Sequence, residues 1–307
     1  RIMLALARPL AVRAARRTLC SAAEGLVAGY EFETLRVTQP AEHVYEVQLH
    51  RPEKSNAMNR QFWKEIADCF SRVSDDAECR AVVLSGAGKN FTAGLDLEDH
   101  MEMFMAMQAP ASDGDDVARR AFRLRQFIKL YQESFTSVEQ CAKPVIAAVH
   151  SACVGGGVDL ICAADIRYSS ADAWFCIKEV DIGLAADVGT LQRLPRIVGN
   201  ESLVRELAYT ARRFHAHEAQ EMGLVSRVLP DYASLMDAAM ETARTIAAKS
   251  PVAVAGTKDN LLFARDHSVP ESLERMAVWN AAMLQTQDIV KAAQGTMTKS
   301  TPSFSKL

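Results

Sequence analysis

The segment PVIAAVHSACVGGGVDL, Pro144 to Leu160, decides how the rest of the chain is read. Its first residues form a short apolar run ending in a turn, which predicts a buried strand. Three consecutive glycines follow, Gly155, Gly156 and Gly157, and the residues from Val158 through LICAAD read as a buried helix. Glycines at a helix start strip the side chains from one wall. A ligand can then reach N–H groups that the first turn leaves unpaired. This makes an anion or oxyanion site, with a close helix-packing contact as an equal alternative. The spacing is not GxGxxG, and GAGKNF (86–91) lacks the spacing and Ser/Thr of a P-loop, which disfavours a nucleotide phosphate cradle.

Outward from this segment, strand-like and helix-like stretches alternate, as in an α/β protein. RAVVLSG (80–86) reads as a second buried strand and leads into a glycine-containing loop, FTAGLDL (91–97). If the strands at 81 and 144 are parallel neighbours, both loops emerge at one sheet edge, where α/β ligand sites form. HVYEVQLH (43–50) alternates like a strand and FWKEIADCF (62–70) reads as a helix. Val117, Ala121, Leu124, Ile128, Tyr131, Phe135 and Val138 recur at helical spacing, which predicts a long amphipathic helix whose stripe packs on the core. After Pro230 the strands stop. Leu235, Ala239, Ala243 and Ile246 mark one helix and Pro251 begins another. The expected division is residues 1–31 as targeting peptide and linker, 32–230 as core with the site, 231–296 as a helical region, and 297–307 as a polar tail.

Composition excludes several classes. With 49% hydrophobic and 24% charged residues among 307, the chain has the balance of a globular protein rather than a disordered one. A net charge of −3 and the lack of a basic, aromatic-interleaved stripe argue against nucleic acid as a partner. No apolar run is long enough to span a bilayer. The seven cysteines are scattered without CxxC pairs, so buried thiols in a reducing compartment are expected and a metal is not. His215 and His217 lack the HExxH context and read as exposed helix-start residues.

The ends read as addresses. Residues 1–23 hold five arginines and no acid, the composition of a mitochondrial transit peptide, and their removal would leave a charge of about −8. Ser305-Lys306-Leu307 spells the tripeptide read by the peroxisomal import receptor. Mitochondrion and peroxisome are therefore both expected.

The chemistry is expected from KEVDIGLAADVG, Lys178 to Gly189, which places Glu179, Asp181 and Asp187 among small and apolar residues. Taken singly, Asp187 could cap a helix and Asp159 could serve a helix dipole or cap. Asp181 has no evident chemical role.

RPEKSNAMN (51–59), SGAGKNFTAGLDL (85–97), PVIAAVHSACVGGGVDL (144–160) and KEVDIGLAADVGTLQRLPRIVG (178–199) occur in the order and spacing of the crotonase, or enoyl-CoA hydratase/isomerase, superfamily. The chain resembles that family from about 32 to 296. The resemblance implies a crotonase-like spiral core of ββα repeats, a C-terminal helical trimerisation region, and a homohexamer built as a dimer of trimers. It also implies a fatty acyl-CoA substrate, with CoA part of that substrate and no separate cofactor. The family's oxyanion hole maps onto the backbone N–H groups of Leu95 and Gly156. Lys54, Asn56 and Ala57, together with Ala93, Gly94, Leu95, Asp96, Leu97, Glu98, Gly156 and Gly157, map onto the substrate and CoA-binding loops. One departure is Ser151, where relatives commonly carry Gly.

Hydratases of the family use two glutamates, at the positions of Asp159 and Glu179. Here the first is shortened to Asp159 and Asp187 is added, a trio resembling the family members that convert 3,5-dienoyl to 2,4-dienoyl thioesters. By that resemblance Asp187 is the base at C2 and Glu179 the acid at C6. A neighbouring Asp159 and an apolar wall would favour protonated Glu179. A 2-enoyl-CoA hydratase and a catalytically silent CoA-binding member are the alternatives.

Overall fold

The computed structural model describes residues 25–108 and 115–307. Most of the expected targeting segment therefore lies outside the described residues. Ten strands form, numbered in chain order: β1 (Leu26–Glu31), β2 (Leu35–Ala41), β3 (Val44–Leu49), β4 (Ala81–Gly86), β5 (Val145–Val149), β6 (Ala152–Val154), β7 (Ile166–Ser170), β8 (Trp174–Cys176), β9 (Phe214–His215) and β10 (Arg227–Leu229). The main sheet has the order β1-β2-β3-β4-β5-β7-β10, and β6, β8 and β9 make a second, smaller sheet. From β3 onward the main sheet is parallel, with Val82 opposite Val145 and Leu84 opposite Ala147. The strands at 81 and 144 are thus neighbours, and their following loops leave from one edge.

Eleven α-helices are described: α1 (Arg60–Asp75), α2 (Leu97–Gln108), α3 (Val117–Gln140), α4 (Gly156–Ala163), α5 (Thr190–Val198), α6 (Glu201–Thr210), α7 (Ala216–Glu221), α8 (Tyr232–Ala247), α9 (Pro251–Ala264), α10 (Val269–Met283) and α11 (Asp288–Thr298). The runs β5-β6-α4 and β7-β8-α5 repeat the ββα order of the expected spiral core. β5 is buried along its whole length because both faces of the sheet are covered. Phe62, Ile66, Phe70, Phe135 and Leu160 pack on one face. Leu235, Ala239 and Ala243 pack against Val83 and Ile146 on the other.

Residues 26–31 are not linker: β1 pairs with β2, and the Tyr30 hydroxyl donates to Asp76 at 3.0 Å. The helical region does begin at Asp231, whose side chain caps α8 by accepting from Ser234 N–H at 2.8 Å. Yet α8 is a cover of the core sheet, so residue 231 divides the chain by texture and not by packing. The tail folds back as well, with Arg80 donating to the Phe304 carbonyl at 2.9 Å and Lys306 ion-paired to Glu78.

The stripe on α3 also divides. Tyr131, Phe135 and Val138 are buried, whereas Val117 is 83% exposed and Leu124 and Ile128 face a cavity. Core packing explains only the C-terminal half of that helix.

Candidate active site

The two glycine loops meet because strand-like pairing continues beyond the sheet edge. Thr92 N–H donates to the Ala152 carbonyl at 2.9 Å and the Thr92 carbonyl accepts from Val154 N–H at 3.2 Å, tying one loop to the other. Gly94 adopts φ +85°, and a Cβ there would sit 2.6 Å from the Val154 carbonyl oxygen. Only glycine permits that approach. The turn before GGG is left-handed at Ser151, φ +50°, and its hydroxyl donates to Asn90 at 3.0 Å. The departure from glycine is therefore accommodated by a local hydrogen bond.

Above these loops lies a cavity of about 400 Å³. Ala93, Gly94, Leu95, Leu97, Gly155 and Gly156 form its floor and near rim, and Met103, Phe104, Met107, Leu124 and Phe127 form its apolar far wall. Among the described residues, neither Leu95 nor Gly156 N–H has a protein acceptor. Glu179 and Asp187 open into the same space. A Cβ on Gly155 would stand 3.3 Å from Glu179 Oε1, so the glycine leaves room for the carboxyl.

Asp159 is placed differently from its expected partners. It is fully buried behind the cavity wall, where Oδ1 accepts from Thr190 N–H, the first residue of α5, at 2.5 Å. The capping alternative is therefore realised by Asp159, on a helix other than its own, while Asp187 caps nothing. Asp159 Oδ2 and Glu179 Oε2 are buried with no other protein partner, and the two carboxyls hydrogen-bond each other, protonated Glu179 donating to Asp159. Burial, then the charge of Asp159 and that of Asp187, pushes Glu179 up to about 8. Burial likewise raises Asp159 to about 6, with the charge of Asp187 adding to it. Asp187 is raised by burial alone. The group with the strongest upward push is the one expected to carry a proton.

The segment carrying Asp187 hangs on side chains from afar. Gln132 donates to the Asp187 carbonyl at 2.8 Å, and Arg193 reaches Glu139 at 3.0 and 3.1 Å. Asp181 pairs with Lys178 at the exposed rim and does not join the carboxyl cluster.

The expected binding residues separate into two groups. Ala93, Gly94, Leu95, Leu97 and Gly156 line the cavity, whereas Lys54, Asn56, Ala57, Asp96, Glu98 and Gly157 do not. Asn56 is a buried clamp, donating to the carbonyls of Ala87, Asn90 and Phe91 at 2.8–3.1 Å. Asp96 is spent on Arg51 at 2.9 Å, and Lys54 on Glu98 at 2.8 Å. A Cβ on Gly157 would lie 2.4 Å from Thr92 Cγ2, so that glycine serves packing.

Sequence reasoning missed Trp63 and His100. Trp63 stacks on Tyr131 with ring centroids 4.3 Å apart. His100 is fully buried, with Nδ1 2.8 Å from the Asp96 carbonyl and Nε2 2.8 Å from the Tyr131 hydroxyl. A carbonyl only accepts, so Nδ1 holds the proton and Nε2 accepts from Tyr131. Burial lowers the pKa of His100, in keeping with a neutral ring. The wall is thus rigid and uncharged. No spacing in the sequence links residues 63, 100 and 131.

A family model described as enoyl-CoA hydratase/isomerase matches residues 39–306, and the chain belongs to that family. Within it, the chain is 57% identical over 284 residues to the mitochondrial Delta(3,5)-Delta(2,4)-dienoyl-CoA isomerase of Rattus norvegicus, covering 92% of this chain and 85% of that one. It is 45% identical over 264 residues to the peroxisomal Delta(3,5)-Delta(2,4)-dienoyl-CoA isomerase of Arabidopsis thaliana, covering 86% and 93%. Among solved structures, a putative enoyl-CoA hydratase from Streptomyces coelicolor superposes with a TM-score of 0.79 at 28% identity, covering 89% of this chain and 94% of that one.

Proposed function

We propose that this chain is an isomerase that converts 3,5-dienoyl-CoA to 2,4-dienoyl-CoA in the β-oxidation of unsaturated fatty acids. The observation that carries the reading is the meeting of Glu179 and Asp187 in one apolar cavity, above two N–H groups without protein acceptors. Asp187 removes a proton from C2, and the electrons pass through a conjugated dienolate. The Leu95 and Gly156 N–H groups hold the thioester oxygen as its charge grows. Glu179, kept protonated by burial and by Asp159, delivers a proton at C6. Asp187 then carries a proton and Glu179 a charge, the reverse of the starting state. The substrate is its own electron sink, so the scheme requires no cofactor beyond the CoA it carries.

Assembly into a homohexamer is part of the same reading. The support is the apolar surface of the C-terminal helices, where Leu261, Leu273 and Val278 are each about two-thirds exposed. Mitochondrial and peroxisomal relatives support an organellar home, and the two terminal addresses support delivery to both.

The test supplies 3,5-octadienoyl-CoA to the purified protein and follows the conjugated dienoyl thioester by ultraviolet absorbance, with 2-enoyl-CoA hydration measured in parallel. Rapid isomerisation is expected. Fast hydration without isomerisation would refute the reading.

A further inference from the structure

We infer that Met58 is a positioning residue that sets the distance between the two oxyanion donors, an inference that rests on assigning those donors to Leu95 and Gly156. Met58 is fully buried, one residue before Asn59, whose side chain caps α1 by accepting from Phe62 N–H at 2.9 Å. Its main chain forms a parallel bridge with Leu95: Met58 N–H donates to the Gly94 carbonyl at 2.8 Å, and the Met58 carbonyl accepts from Asp96 N–H at 3.0 Å. In such a bridge one residue bonds to both neighbours of its partner, and the partner's own N–H and C=O face the other way. The Leu95 N–H is therefore turned from Met58, and Leu95 lines the cavity.

The side chain of the same residue lies under the second donor. A Cβ on Gly156 would be 3.0 Å from Met58 Sδ and 4.0 Å from its Cε, with Trp63 Cη2 at 3.6 Å. The thioether thus forms the floor on which Gly156 rests. One residue grips Leu95 through its backbone and Gly156 through its side chain. Shortening that side chain leaves the first grip intact and loosens the second. A donor displaced by about 1 Å costs up to about 10²-fold in rate when charge develops opposite it.

The experiment compares wild type, Met58→Leu and Met58→Ala by steady-state kinetics on 3,5-octadienoyl-CoA. The carbonyl stretch of bound 2,4-octadienoyl-CoA, labelled with ¹³C at C1, is read by infrared difference spectroscopy. Met58→Ala is expected to lose about 10-fold to 100-fold in kcat with KM changed less than about 3-fold, and to lose part of the carbonyl downshift. Met58→Leu, of similar volume, restores most of both. If Met58→Ala does not fold, Met58→Val removes the same sulfur and carries the measurement. A truncated variant with unchanged kcat and carbonyl shift overturns the inference. So does one whose melting temperature and KM change while the carbonyl shift stays whole. No downshift in wild type would overturn the donor assignment and this inference together. A normal downshift without isomerisation would overturn the proposed reaction and leave the role of Met58 standing.

Discussion

The glycine floor, residues 91–95 and 152–157, and the carboxylate arm, residues 178–190, face each other across one cavity and are built on opposite principles. The floor is held by main-chain bonds. Thr92, Gly94 and Met58 each contribute to strand-like pairings, and glycines at 94 and 157 allow contacts that any Cβ would prevent. The arm has a short 3₁₀ turn, Glu179–Ile182, and otherwise depends on isolated side-chain anchors: Asp159 on Thr190, Gln132 on Asp187, and Arg193 on Glu139. The floor pairs many of its main-chain groups with neighbouring backbone and leaves the Leu95 and Gly156 N–H groups without protein acceptors. The arm leaves the Asp159 and Glu179 carboxyls buried with each other as partner. A charge that must stay fixed through catalysis is answered by rigid backbone. Protons that must move are handled by carboxyls whose environment makes both protonation states accessible.

The largest effects should come from the reacting groups on the arm. Asp187→Asn and Glu179→Gln are each expected to lose on the order of 10²-fold to 10⁴-fold in kcat, measured by dienoyl absorbance, with the fold kept by circular dichroism. A near-normal Asp187→Asn enzyme would break the two-acid scheme. Next comes the floor: Gly94→Ala forces a methyl against the Val154 carbonyl and should lower kcat by about 10² to 10³, with binding of product less affected.

Asp159→Asn should have a smaller effect, about 10-fold, because Asp159 lies behind the wall and acts through its neighbours. Its signature is a pH shift. Glu179 must be protonated, so wild-type kcat falls as pH rises through about 8; removing the Asp159 charge moves that limb to lower pH. An unmoved limb would show that burial alone sets Glu179.

Stability should report the same coupling. The folded-state pKa of Glu179 is raised, so between about 4.5 and 8 the folded state binds the proton and the unfolded state does not. Stability must therefore fall as pH rises through that window. Glu179→Gln removes this slope, and its melting temperature should exceed that of wild type by more at pH 8 than at pH 5. The smallest effect is expected at the rim. Asp181→Asn breaks a half-exposed pair with Lys178 and should leave the melting temperature close to that of wild type and kcat within about 2-fold.

Much of the floor was legible in the chain. Apolar runs followed by glycine loops at 91–97 and 153–160 indicate strands and an open backbone, because local sterics act between near neighbours. Gly94 and Gly156, which line the cavity, stand out this way, as does the α/β alternation. Asp159 was legible as the neighbour that favours protonated Glu179 but not as the partner of Thr190, which is 31 residues away. Asn56 and Asp96, expected in the CoA-facing loops, are engaged within those loops, and in sequence a polar residue that touches ligand looks like one that clamps the loop. The α3 stripe was misread for the complementary reason: apolar spacing records removal from water, and a core and an acyl cavity satisfy it equally.

By itself the sequence determined the alternation of strands and helices and the glycine turns, which follow from local conformation and residue chemistry. The tertiary structure alone decided which acids reach the cavity, which one stands behind it, and which residue pushes which pKa. Those outcomes depend on burial and on contacts between segments 8 to 98 residues apart, from Glu179 and Asp187 to Met58 and Gly156, and no local pattern encodes them.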